Sequence, residues 1–426
     1  MKLNAEILKK ENEKLNISHR YAFDYLYNYL ENTGIDVHDL IKKVEAFQVG
    51  IPSWALGAGG TRFGRFSFPG EPASLVQKLD DVGLLHALTG SAGAISLHIP
   101  WDIPKDFEAI KQQAKNHSLV FDAVNSNTFQ DQKGAEKSYQ FGSLSALDDA
   151  VREQAIEHNK EVISIGKKLG SKSITIWLAD GSNFPGQANF QTALRKTEES
   201  LKQVYDHLPL DWNMFIEYKP FEPHFYSTVI QDWGTSFLLA SACGERAYTL
   251  VDLGHHLPNT NIEQIVATLM SKGKLGAFHF NDSKYGDDDL TVGSVKPYAL
   301  FLIFNELVYG ISHNPQNPIP AWMIDASHTI KDPLEDLLQS LEAILEAYAK
   351  ALLIDQKTLK EAQKLQDVVA CQEILQTAYR TDVRPLIAQA RINVGGSLSP
   401  IKTFRNLKVR AQLIQERGKN SLAKGL

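Results

Sequence analysis

Cysteine is nearly absent: Cys243 and Cys371 are the only two in 426 residues. Two are too few for a disulfide framework or a thiolate metal site, so each reads as a small hydrophobe and not a nucleophile. Long apolar runs are missing too. No stretch approaches the length needed to cross a bilayer, and the amino terminus, MKLNAEILKKENEKLN, has no apolar signal core. The sequons at Asn16 and Asn116 therefore lack a secretory context, and a cytoplasmic protein with no membrane partner is expected. Positive charge is also not in excess. With 44 Lys+Arg against 50 Asp+Glu and a net charge of −6, the chain lacks the basic balance that a nucleic-acid partner calls for.

What remains is ordinary for a soluble globular chain, at 43% hydrophobic and 22% charged residues. Between about 18 and 45, Tyr21, Phe23, Leu26 and Leu30, then Val37, Leu40, Ile41 and Val44, recur at helical spacing on either side of Gly34. An alternation follows. Short apolar runs are expected as strands at Phe47–Ile51, Ala94–His98, Leu119–Asn125, Ser173–Leu178, Met214–Lys219, Tyr248–Leu253, Leu275–Phe280 and Trp322–Asp325. Helical segments separate them, among them Leu75–Leu88, Phe107–Asn116, Ala146–Leu169, Thr192–His207, Thr235–Ala242, Ile262–Ser271, Pro297–Tyr309 and Pro333–Lys350. Eight such units predict an α/β fold, a (β/α)8 TIM barrel over residues 46–350. N-terminal helices (1–45) would pack on it, and a C-terminal helical extension (351–426) would suit oligomerisation. That extension reads as helices over Asp355–Tyr379 and Pro385–Ile392, then a basic tail from Ile401 expected as a solvated helix or a subunit-docking arm.

The polar residues of these strands gather at their C-terminal ends: His98, Asn125, Trp177 with Asp180, Glu217 with Lys219, Asp252, His279 and Asp325. In a parallel barrel that rim carries the active site. Glu217 and Lys219 share a face by period two, and DLGHH sets His255 one tight turn beyond Asp252. In the stretch LGAFHFNDSKYGDDD, His279 lies on a strand and is followed by Asp287, Asp288 and Asp289. Asp288 would face solvent if the backbone stays extended. Taken singly, each of these residues is more often a structural polar group. Together, so many carboxylates in one mouth repel unless cations neutralise them. Oxygen-rich sites with one histidine each suit Mn2+, Co2+ or Zn2+, with Mg2+ less favoured, and two sites with different ligand sets fit the pattern. The glycine-rich segment Gly57-Ala-Gly59-Gly60-Thr61-Arg62 is neither a P-loop nor a dinucleotide fingerprint, and reads as a lid or a subunit contact.

At PSWALGAGGTRFGRFSFPG, SLHIPWD, TIWLADG, FIEYKPFEP, VDLGHH, FHFNDSKYGDDD and MIDASH, in this order, the chain resembles the bacterial L-rhamnose isomerases and their xylose-isomerase-like barrel relatives. The resemblance implies a metal-dependent aldose–ketose isomerase with two divalent ions per subunit, Mn2+ first among them, in a homotetramer acting on a small sugar. It implies that Glu217, Asp252, His279 and Asp325 hold one metal, and that His255, Asp287 and Asp289 hold the second. It further implies that Lys219 contacts a substrate hydroxyl and that His98 assists ring opening or binds the sugar. Of the two routes open, a hydride shift or an enediol, a hydride shift is expected, with a metal-bound water near Asp325 moving the hydroxyl proton. Trp177 would wall the sugar, and Phe63 would reach a neighbouring subunit's site. Rival readings are another sugar isomerase of this barrel family, a metal-dependent barrel phosphodiesterase or endonuclease, which would need a basic mouth, and a sugar-binding scaffold without catalysis.

Overall fold

The computed structural model describes residues 3–57, 66, 68–222, 224–326 and 330–420. Phe63 and most of the glycine-rich segment lie outside the described residues. Eight strands close a parallel barrel: β1 (Gly50–Pro52), β2 (Ala94–His98), β3 (Val120–Asn125), β4 (Ser173–Ile176), β5 (Asn213–Glu217), β6 (Ala247–Asp252), β7 (Leu275–Phe280) and β8 (Ala321–Ile324). Each pairs with the next in sequence, and β8 returns to β1. Helices cover the outside, which explains why β7 is buried along its whole length and reads as a near-continuous apolar run. β1 is shorter and later than the expected Phe47–Ile51. Its Gly50 faces the carboxyl of Asp122 from β3, where a Cβ would come within 2.5 Å of Oδ2.

The shell helices begin where a side chain can take up their free N–H groups. Ser74, Asp106, Asp148, Asn189, Asp232, Asn261 and Asp332 each accept a backbone N–H of the first turn. These caps account for the starts that periodicity alone missed, at Asp149, Phe190 and Trp233. The first of the amino-terminal helices, Ala5–Glu13, whose bounds periodicity did not mark, is capped in the same way by Asn4. Beyond the barrel, the expected Asp355–Tyr379 helix is two, Gln356–Lys364 and Val368–Arg380. Gln366 sits between them at φ +57°, and Asp367 caps the second.

The amino-terminal helices, the barrel shell and the carboxyl-terminal helices share one contiguous apolar core, running from Leu8 and Leu30 through Leu341 to Phe404 and Leu413. Cys243 is buried and Cys371 half-buried, and burial pushes the Cys243 thiol up to about 12, which suits a packing role. The described part of the basic tail, to residue 420, is anchored to its own chain. Its helices, Pro400–Asn406 and Val409–Arg417, lie on their own chain. Arg405 pairs with Glu335, Arg410 with Asp332, and Arg417 donates twice to Asp81 at 2.6 and 2.8 Å. This last pair is almost fully buried, so losing one partner strands a charge. Arg417→Leu is expected to destabilise the fold by about 3 kcal/mol, read by chemical denaturation. The double variant Asp81→Leu/Arg417→Leu should recover much of that loss.

Candidate active site

Four side chains converge at the carboxyl end of the barrel. Glu217 ends β5, Asp252 ends β6, His279 is the penultimate residue of β7, and Asp325 directly follows β8. Phe215, Leu250 and Ala277, each two positions before one of these residues, join Ala123 in a small apolar plug inside the barrel. Period two therefore builds the polar layer directly on the plug, and register adds to it, since Asp252 pairs with His279 across β6 and β7.

One ligand atom from each of the four residues lies within 4.8 Å of all the others. His279 Nδ1 stands 3.3 Å from Glu217 Oε1, 3.5 Å from Asp252 Oδ2 and 3.6 Å from Asp325 Oδ2. The outer oxygens are already engaged. Asp252 Oδ1 accepts from Gly254 N–H at 2.7 Å and Asn281 Nδ2 at 2.9 Å, and Asp325 Oδ1 accepts from the Trp54 indole at 2.9 Å. The inner atoms are not: Asp252 Oδ2, His279 Nδ1 and His255 Nδ1 are buried without a hydrogen-bond partner. A buried carboxylate oxygen and two imidazole nitrogens left open here, with Asp252 and Asp325 braced from behind, fit a divalent cation.

The electrostatics agree. Burial works against a charged His279, yet Glu217, Asp252 and Asp325 outweigh it and push the imidazole up to about 10. Burial raises Glu217 as well, but His279 and His255 overcome it and hold the carboxyl below its usual range. Asp325 is pushed up to about 7 by burial and by its neighbours Asp252 and Glu217, against the pull of His279. Without a cation, protons hold this cluster together.

A second group adjoins the first through Glu217, whose Oε1 is also 3.2 Å from His255 Nδ1. His255 Nε2 reaches Asp287 Oδ1 at 3.0 Å. Lys219, almost fully buried, donates to Asp287 Oδ2 at 2.5 Å and lies 2.8 Å from Glu222. Asp287 and Asp289 both adopt left-handed backbone at the far side of Gly286. Asp289 is half-buried in that turn and is not one of the four clustered residues. Asp288, expected to face solvent, instead closes the turn by accepting N–H bonds from Lys284, Tyr285 and Gly286.

Opposite the carboxylates stands an aromatic wall. The His98 ring packs against Trp54, Trp101 and Phe129 at centroid distances of 5.5, 4.1 and 5.4 Å. Phe129 continues to Trp177 at 4.8 Å, and Lys219 Nζ lies 5.4 Å from the Trp177 ring centre. Burial, with His158 adding to it, depresses the His98 imidazole to about 3, so it stays neutral with Nδ1 open. Its backbone N–H donates to Asp102, which also takes Ser53 Oγ and Lys78 in a buried ion pair. The sequence reading named Trp177 but not Trp54, Trp101, Phe129, Glu222 or Asn281. Trp54 and Trp101 lie just past the ends of β1 and β2, a position that could have flagged them. Asp180, expected among the rim charges, is a latch: Oδ1 accepts the Ser143 hydroxyl, and Oδ2 accepts both backbone N–H groups and the Ser145 hydroxyl.

Because His279 and His255 are both held above their usual range, a cation that binds them must displace protons. Mn2+ added to chelator-stripped protein should release at least one proton per ion. Its apparent affinity should rise from about pH 6 to about pH 8. Calorimetry in buffers of different ionisation enthalpy measures both.

The family model for L-rhamnose isomerase (RhaA) matches residues 85–375 of the chain. A protein named "Probable sugar isomerase" from Rhizobium meliloti (strain 1021) is 49% identical over 415 residues, covering 97% of this chain and 96% of that one. A second of the same name from Mesorhizobium japonicum is 49% identical over 417 residues, with the same coverage. Among solved structures, 3-keto-D-glucoside 4-epimerase from E. coli covers 70% of this chain and 98% of its own at a TM-score of 0.51 and 13% identity, a likeness of fold.

Proposed function

Since the chain belongs to the L-rhamnose isomerase family, a family of sugar isomerases, we propose that it interconverts L-rhamnose and L-rhamnulose, with related aldose–ketose pairs, by a metal-assisted 1,2-hydrogen shift. The observation that carries this reading is the convergence of Glu217, Asp252, His279 and Asp325 within 4.8 Å beside the His255–Asp287–Lys219 group. Two divalent ions, Mn2+ in the first instance, are part of it. Glu217, Asp252, His279 and Asp325 would hold one, and His255, Asp287 and Asp289 the other. Bound there, such ions would fix neighbouring sugar oxygens and polarise the carbonyl.

The remaining work falls to the chain's own side chains. Lys219, held between Asp287 and Glu222, presents its ammonium as a donor to a sugar oxygen near the reacting carbons. His98, neutral and with Nδ1 open, can accept the hydroxyl proton as the pyranose ring opens. Asp325, braced by Trp54 at Oδ1, would position a water beside it to move the hydroxyl proton between the two oxygens. Trp54, Trp101, Phe129 and Trp177 would exclude water and pack on the C–H face of the sugar, and Phe63 would reach a neighbouring subunit's site. The reading includes a cytoplasmic homotetramer. Ile17, Tyr21 and Tyr25, exposed at i, i+4 spacing on the helix Asn16–Asn32, support association.

Dialysis against EDTA should abolish isomerisation and Mn2+ should restore it, on a panel of L-rhamnose, L-lyxose, L-mannose and D-allose. Glu217→Gln should lower activity by more than about a hundredfold, beyond the usual cost of losing an outer partner of a metal site. Indifference to both would reject the reading. Deuterium placed at carbon two should stay with the sugar through turnover; its loss to solvent would replace the hydride shift with proton transfer through an enediol.

A further inference from the structure

Asn281 stands two residues beyond His279 on the same inward-facing column, is almost fully buried, and has no part in the reaction described above. Its Nδ2 donates to Asp252 Oδ1 at 2.9 Å and to the backbone carbonyl of Asp325 at 3.1 Å. Both partners are acceptors, so the amide can face them in only one sense. Its Oδ1 meanwhile is buried without a partner. The side chain thus bears a desolvation cost to keep its two N–H bonds, which gives the orientation a purpose.

Gly254 completes the arrangement. Its N–H is the second donor to Asp252 Oδ1, and a Cβ at this position would come within 3.3 Å of both the Asn281 amide and that oxygen. With Oδ1 claimed twice, the Asp252 carboxylate cannot turn, and Oδ2 is left aimed at His279 Nδ1. The other amide hydrogen ties the backbone of Asp325 to the same point.

We propose that Asn281 is a positioning residue: through one amide it fixes Asp252 and Asp325 as a preformed pair of oxygen donors and thereby sets the affinity of the four-residue cluster for a divalent cation. It touches neither sugar nor cation. The inference rests on the metal-dependent reading of the site.

The test is titration of Mn2+ into chelator-stripped protein, following free Mn2+ by electron paramagnetic resonance, for the wild type, Asn281→Leu and Asn281→Ser. Leu keeps the volume and removes the donors; Ser leaves room for water and guards against a folding failure of the first variant. The expected result is a dissociation constant raised about 10- to 100-fold, with a metal-free melting temperature near that of the wild type. Activity lost at low Mn2+ should return as Mn2+ is raised. A folded variant that binds Mn2+ within twofold of the wild type overturns the role of Asn281 alone. A wild type that takes up no Mn2+ overturns the metal reading and this inference with it.

Discussion

The barrel mouth is governed by the repulsion among Glu217, Asp252 and Asp325, whose ligand atoms lie within 4.8 Å of one another and largely out of water. Pairs of unit charges at such distances cost roughly 3–4 kcal/mol each at the effective dielectric of a protein. Three pairs together approach the whole net stability of a typical domain, about 5–15 kcal/mol. The fold can gather these groups only if positive charge is gathered with them. In the ion-free protein that charge is the imidazolium of His279, with His255 alongside. A divalent cation held among these groups would relieve the same repulsion and leave the imidazoles free to act as ligands.

The two sides of the mouth are built by different means. On the carboxylate side, strand register and the apolar plug hold Glu217, Asp252 and His279, and hydrogen bonds to their outer atoms hold Asp252 and Asp325. On the aromatic side, Trp54, Trp101 and Phe129 come from loops past β1, β2 and β3, and they meet around His98. What steadies that side is a buried ion pair: Lys78 on the helix Leu75–Thr89 holds Asp102, which in turn holds Ser53 beside Trp54 and the backbone of His98. Trp54 then donates to Asp325 where β1 and β8 lie side by side, and so joins the two sides.

The carboxylate side was legible in the sequence because two simple periods produce it. Helix–strand alternation locates the strand ends, and period two then marks Glu217, Asp252 and His279 as inward. The aromatic wall was not legible beyond Trp177, since loop residues follow no period and nothing local says which way Trp101 or Phe129 turns. Asp180 shows the opposite failure: a carboxylate at a strand end looks the same on paper whether it faces an ion or two serines. The partner of Arg417 was beyond reach for another reason. Asp81 lies 336 residues earlier, and no local pattern links the two. The caps at Asn189 and Asp232 were in plain view, and would have moved two helix starts to their observed places.

Gly254 touches both halves of the cluster. Its N–H holds Asp252 Oδ1, and its carbonyl receives the N–H of Asp287 at 2.8 Å. The only soft coordinates between those two contacts are the φ and ψ of one residue, and a side chain there would crowd the Asn281 amide. The residue therefore works as a ruler. It sets the separation of the two carboxylate groups independently of what lies in the mouth. Any ligand held between these two contacts would meet the same fixed spacing, whereas the aromatic side opposite is built from loops and carries no such constraint.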